Sequence, residues 1–236
     1  MDKFAVILAA AGSSTRFADP FVKKVFTLLG NKPIWMYSAE VFAKRRDVEQ
    51  LILVIHPDDK ELFNEKFAGS AAMLGIQAVL GGKERADSVL NGLREVRPEL
   101  SMVAVHDAAR PCVSDIWIDA VFAAGQKFGA AILATPCHAT VKKSNSAQQI
   151  EQTLPRENLW LAQTPQVFRT QLLLTAYQQH AQPSAATDEA SLVEAMGHPV
   201  HLVESSPLNI KVTSKADLKF AEAALKVLPK KNVLNF

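Results

Sequence analysis

The chain has 236 residues, 48% of them hydrophobic and 21% charged, with 26 Lys and Arg against 24 Asp and Glu for a formal charge of +2. That composition supports a sizeable core and excludes wholesale disorder, a repeat array and a miniprotein. It lacks the basic excess that a nucleic-acid backbone demands, so any bound anion must be met by a local cluster of charge.

In chain order, short apolar runs at 4–9, 50–56, 76–80, 102–106 and 130–135 predict strands buried on both faces. Helix-period segments at 33–44, 58–67, 85–96 and 114–127 lie between them. The alternation stops at Pro136, and residues 137–153 read as a polar, exposed hairpin with an Asn-Ser turn. A strand at 166–168, helices at 170–179 and 188–196, and strands at 200–203 and 210–212 follow. The last helix is marked by a Ser214 cap with Asp217 three residues on, and by Leu218, Ala221, Leu225 and Leu228 at helical spacing. The expectation is an α/β fold: one domain over 1–236, built on a doubly wound, mainly parallel sheet with a protruding β-arm, its sites beyond the strands' carboxyl ends. An arm with so little core of its own is expected to pair with another chain.

Cys112 and Cys137 form neither a disulfide framework nor a zinc pattern, which points to a reducing cytoplasm. His198 and His201 are close, but there is no HExxH motif. The apolar stretch 4–11 is too short for a bilayer and has a poor signal-peptide flank, so no membrane role is expected.

The first strand empties into Ala9-Ala10-Ala11-Gly12-Ser13-Ser14-Thr15-Arg16, where small side chains let backbone N–H groups approach a phosphate or a base edge. The alternative is a solvent-exposed turn. Lys23 and Lys24 are either a solvated face or, with Arg16, a bracket around a triphosphate. Gly81-Gly82 closes the third strand and precedes Ser88, one turn into a helix. Asp107 and Arg110 leave the fourth strand three residues apart. They suit Mg²⁺ or a hydroxyl and a phosphate, respectively, or else a structural ion pair. Thr140, Lys142, Arg156, Thr164, Thr187 and Lys211 add the cations and hydroxyls that a second, phosphorylated substrate needs.

In this order, AAAGSSTR, KKVF, GGKERADSV, HDAARP, TPQ, TDEAS and NIKVT resemble the 2-C-methyl-D-erythritol 4-phosphate cytidylyltransferases. The resemblance implies a nucleotide-diphospho-sugar transferase-like fold and a CDP-alcohol made from CTP and a polyol phosphate, in the non-mevalonate isoprenoid route, with Mg²⁺. It implies that Ala10, Ala11, Gly12, Gly82 and Ser88 hold the cytidine and that Arg16 and Lys24 grip the triphosphate. Asp107 would act where the substrates and metal meet, and Lys211 would steady the reacting phosphates. Arg110, Thr140 and Arg156 would hold the methylerythritol phosphate, partly from the neighbour in a homodimer whose active sites are shared. Three positions depart from the family: Ser14 for its usual Gly, Lys23 for Pro, and Ala139 for the Asp that commonly precedes the arm threonine.

No Ser-His-Asp relay is evident, and none is needed. A phosphate monoester with a second pKa of about 6 is already mostly dianionic at neutral pH. Two other readings stand beside this one: a cytidylyltransferase for ribitol 5-phosphate, and a nucleotide-binding module without turnover.

Overall fold

The computed structural model of the chain describes residues 2–12, 17 and 23–231. Strand β1 (Phe4–Ala9) is followed by a small hairpin, β2 (Leu28–Leu29) and β3 (Lys32–Pro33), then α1 (Ile34–Ala43) and β4 (Val48–Ile55). A 3-10 turn at Pro57–Asp59 leads into α2 (Lys60–Lys66), α3 (Ala68–Met73), β5 (Ile76–Leu80), α4 (Arg85–Arg94) and β6 (Met102–Asp107). Next come α5 (Asp115–Phe128), β7 (Ala130–Pro136) and a hairpin of β8 (Val141–Ser144) and β9 (Ile150–Leu154). The chain continues through β10 (Trp160–Arg169), α6 (Thr170–Gln179), α7 (Glu189–Ala195), β11 (His201–Glu204) and α8 (Ala216–Val227).

Seven strands form the main sheet in the order β11-β7-β10-β6-β1-β4-β5, and β8-β9 stands as a separate pair. Every pairing in the main sheet is parallel except those of β10, which runs antiparallel between β6 and β7. The expected doubly wound, mainly parallel architecture is therefore present. Its cause is visible in β1: side chains alternate across a strand, so Phe4, Val6 and Leu8 join one core while Ala5 and Ile7 join the other. The first core meets Trp35 and Phe42 of α1 and Ile118 and Phe122 of α5; the second meets Val89 of α4, Leu173 of α6 and Val193 of α7. Each fully buried Leu, Ile or Phe contributes roughly 1.5–3 kcal/mol relative to exposure. A third cluster joins Phe17, Leu29, Ile34, Cys112 and Val212 to Ala221 and Ala224 of α8.

The chain winds outward from β1 to β4 and β5, then returns to β6 on the other side of β1. That reversal opens a crevice at the carboxyl ends of β1 and β6, the place where such sheets bind ligands.

Four sequence expectations are corrected. Pro57 starts a separate 3-10 turn in which His56 Nδ1 accepts from Asp58 N–H, so α2 begins only at Lys60 and α3 is an additional helix. Strand β10 has ten residues rather than three, because its middle is held by buried Gln163, Thr164 and Gln166, polar residues that carry no apolar pattern. Residues 210–212 form no strand; Val212 N–H donates to Ala109 O, so this segment crosses the strand ends instead of extending the sheet. At α8 the acceptor is Asp217 rather than Ser214: its Oδ2 takes N–H bonds from Thr213 and Ser214, both at 2.8 Å.

Candidate active site

Three loops meet above the crevice. Ala10 N–H donates to Val54 O at 2.9 Å, Gly81 N–H to Ile55 O at 2.8 Å, and Ala108 N–H to Ala9 O at 3.1 Å. A Cβ on Gly81 would lie 2.6 Å from the Ala11 Cβ, and one on Gly82 would lie 2.5 Å from the Asp87 Cβ. Glycine is therefore required for this close approach. Ser88 is buried; its hydroxyl accepts from Gly82 N–H at 3.1 Å and donates to Glu84 O at 3.0 Å, bracing the turn from beneath. Ala10, Ala11, Gly81, Gly82 and Ser88 are thus brought together, with Gly12 next along the first loop. Arg16 lies outside the described residues. Lys24 opens a one-turn 3-10 helix, Lys24–Phe26. Lys23 is turned to Asp59 in an ion pair, so the triphosphate expectation passes to Arg16 and Lys24.

Asp107, at the end of β6, is the centre of a buried charge network. Lys211 Nζ lies 2.7 Å from its Oδ2 and Arg110 Nε 3.6 Å from the same oxygen, while Arg85 Nε approaches Oδ1 at 3.3 Å. The Asp107 N–H donates to Thr164 Oγ1 at 3.0 Å, and that hydroxyl lies 3.1 Å from His106 Nδ1. His106 Nε2 is 3.1 Å from Arg110 O. These partners assign the tautomer: Nε2–H donates to the carbonyl and Nδ1 accepts the Thr164 proton. Arg85 also forks onto Glu189, at 2.7 and 3.0 Å. Gln166 Oε1 accepts the N–H groups of Glu189 and Ala190, which fixes the start of α7. Asn209 Nδ2 donates to Thr164 O and its own carbonyl accepts from Arg110 Nη1, holding the Lys211 segment over the cluster.

Arg85, Asp107, Arg110, Thr164, Thr187 and Lys211 line a cavity of about 180 Å³. A second cavity of about 410 Å³ shares Arg110 and Gln163 with it and runs to Pro136 and His138 at the base of the arm. Burial works to raise the Asp107 pKa, but Arg85, Lys211 and Arg110 together hold it far below the usual carboxylate range. Burial pushes His106 down to about 4, so the ring is neutral at pH 7 and serves as a fixed strut. The cavity lining carries the cations Arg85, Arg110 and Lys211 and the carboxylates Asp107 and Asp188; with Arg85 also forked onto Glu189, Lys211 and Arg110 are the cations placed to meet phosphorylated ligands.

The expected residues divide between two regions. Asp107, Arg110, Thr164, Thr187 and Lys211 share one cavity, although the Thr164 hydroxyl is occupied by Asp107 and His106. The Asp107–Arg110 ion pair exists, as one of three cationic contacts. Thr140 and Arg156 are exposed at the arm and do not line this cavity; Arg156 Nη1 donates to His138 O. The sequence motifs GGKERADSV and TDEAS contain Arg85 and Glu189, but no role is assigned to either from the sequence. A glutamate amid the apolar positions of a short helix was the available signal. Among the described residues, no group of three or more His, Cys, Asp or Glu is placed to hold a metal ion, and no helix is long and apolar enough to cross a membrane.

The family model described as IspD, 2-C-methyl-D-erythritol 4-phosphate cytidylyltransferase, matches residues 4–227. The chain is similar to the enzyme of that name from Pelotomaculum thermopropionicum, at 39% identity over 96% of this chain and 95% of the relative. The Bacillus velezensis enzyme is 38% identical over 95% of this chain and 96% of its own length. The crystal structure of the Thermus thermophilus enzyme superposes with a TM-score of 0.78 at 32% identity, covering 96% of this chain and all (100%) of that one. With the family match spanning nearly every described element and the motif residues gathered at the sheet's switch point, the chain belongs to the 2-C-methyl-D-erythritol 4-phosphate cytidylyltransferase family.

Proposed function

We propose that the chain transfers the cytidylyl group of CTP to 2-C-methyl-D-erythritol 4-phosphate at the Asp107 cavity, within the non-mevalonate isoprenoid route. The observation that carries this reading is the convergence of Lys211, Arg110 and Arg85 on one buried carboxylate beneath the small-residue loops. An oxygen of the acceptor phosphate attacks the α-phosphorus of CTP, a new P–O bond forms, the bond to the β-phosphate breaks, and pyrophosphate leaves. The attacking dianion has no proton to lose, so the protein's task is to bring two anions together. Backbone groups at Ala10–Gly12 and Gly82 receive the cytosine, with Ser88 holding the second turn in shape. Arg16 and Lys24 bind the triphosphate and stabilise the charge that develops on the transferring group. Lys211 and Arg110 meet the acceptor phosphate, while Thr187 faces the same cavity.

The donor set fits a magnesium ion carried by the nucleotide, since Mg²⁺ is commonly held by one or two carboxylates plus substrate phosphates. Asp107 would be the protein's contribution, and the ion would supply positive charge that offsets the repulsion of the two anions. The arm supports a homodimer with shared sites: no residue from 137 to 154 is buried, and Thr140 and Arg156 face outward from their own chain. We read residues 1–236 as one domain, and the unpaired thiols of Cys112 and Cys137 are in keeping with a cytoplasmic enzyme.

The test is pyrophosphate release in Mg²⁺ buffer from CTP with each polyol phosphate, and from UTP with the methylerythritol phosphate. Turnover is expected with CTP and methylerythritol phosphate, and UTP should fall behind because a site built for the cytosine amine leaves a polar group unpaired. Preference for ribitol 5-phosphate, or no release with any acceptor, would overturn the assignment.

A further inference from the structure

The segment that carries Lys24 is fastened to the sheet by a contact that the reaction above does not use. Lys23 Nζ lies 3.1 Å from Asp59 Oδ1, and the two side chains are 25% and 7% exposed. Asp59 closes the 3-10 turn after β4, where its N–H donates to His56 O at 2.9 Å, so it moves with the sheet. Its second oxygen has no hydrogen-bond partner among the described residues. A carboxylate so placed depends on its cation, because a buried charge without a counter-ion is strongly unfavourable.

The backbone at Lys23 carries the second half of the argument. Its φ is −65° and its ψ is 143°, extended, and that φ is the value a proline ring imposes. The Lys23 N–H donates no hydrogen bond among the described residues, so a proline would lose none of them there. Its carbonyl accepts from Phe26 N–H at 3.0 Å, which starts the turn that Lys24 opens.

We propose that the Lys23–Asp59 ion pair is a positioning device for Lys24, fixing by charge the backbone that a proline would fix covalently. The proposal rests on the reading that Lys24 meets the triphosphate. A catalytic cation placed even about 1 Å wrongly can lose up to roughly 10²-fold in rate, so a looser approach to Lys24 is expected to appear in kcat.

The experiment is steady-state kinetics on the full chain carrying Lys23→Met, Asp59→Asn, Lys23→Pro or Lys24→Ala, alone and combined, with melting curves to verify folding. Lys23→Met and Asp59→Asn should each lower kcat about tenfold, and together no further, because either one breaks the same pair. Lys23→Pro should keep kcat within about twofold and restore it in the Asp59→Asn chain, since it suits the native φ. In the Lys24→Ala background, Lys23→Met should have no added effect, an outcome that a general loss of stability does not produce. If Lys24→Ala is impaired while Lys23→Met and Asp59→Asn retain normal kcat, or if Lys23→Met costs as much in the Lys24→Ala background, the positioning role is overturned. Normal kcat in Lys24→Ala itself would instead overturn the triphosphate reading.

Discussion

The strand-end cluster and the arm are both rich in polar side chains, yet they are ordered in opposite ways. Around Asp107 the charges sit on top of a packed core: Glu189 is wholly buried, Arg85 forks onto it, and Gln166 and Asn209 bond to backbone groups behind it. From 137 to 154 no residue is buried; Lys143 meets Glu151 at 3.4 Å in the open, and Ile150 is 66% exposed. Beyond the β8–β9 pairing, the turn of the arm is held by Asn145, whose side-chain oxygen accepts from Ala147 N–H and Gln149 N–H. Polar residues over a core make a pre-formed site, because each alternative position leaves a desolvated group without a partner. Polar residues on an isolated hairpin have no such core beneath them, and two strands alone are marginal in water.

The sharpest way to break this contrast is to remove a member from each region. Glu189→Ala leaves Arg85 with only Asp107 behind it and should cost about 3–5 kcal/mol in urea denaturation. Ile150→Ser should stay within about 0.5 kcal/mol for the isolated chain. Equal costs would show that the arm is a stability element after all.

The next effect is a pH dependence confined to the cluster. The folded pKa of His106 is lowered to about 4, below the ordinary value near 6.5, so the unfolded chain takes up the proton first. Its stabilising contribution is present above about pH 6.5 and is lost as pH falls toward about 4, amounting to roughly 3 kcal/mol in full. Denaturation at pH 7 and pH 4.5 should show that loss in the parent chain and little of it in His106→Gln. An equal slope in both would mean that the ring is not the group responsible.

A kinetic comparison sharpens the difference within the cluster. Lys211→Ala and Asp107→Asn should lower kcat by about 10²-fold, or about 2.7 kcal/mol, with the fold retained. Thr187→Ala, at the exposed rim, should change KM for the polyol phosphate more than kcat. The reverse pattern would move the reacting phosphates away from Lys211.

The smallest signal addresses the arm itself. If Arg156 serves the neighbour's substrate while Lys24 serves its own CTP, inactive Lys24→Ala chains mixed with inactive Arg156→Ala chains form heterodimers with one intact site. With half the dimers mixed, about a quarter of all sites should recover, by the two-fold geometry of an isologous dimer. No recovery after full subunit exchange would confine each site to one chain.

Most of what positions the site was legible as local pattern. The continuous apolar run of β1, the small residues of Ala9–Gly12, the adjacent glycines at 81 and 82, and the Asp107–Arg110 spacing all act within a few residues. Sterics and hydrogen bonding along the chain therefore constrain them directly. The rest was decided in space. Arg85 and Glu189 are 104 residues apart, and nothing in either segment names the other. Strand β10 lies antiparallel between β6 and β7, and its buried polar residues find partners on three separate elements: Thr164 on β6, Gln163 on the segment after β11, and Gln166 at the start of α7. A polar side chain in a strand becomes informative only when its partner arrives. Low-dielectric burial then makes that pairing obligatory, and the core that creates the burial exists only in the folded chain.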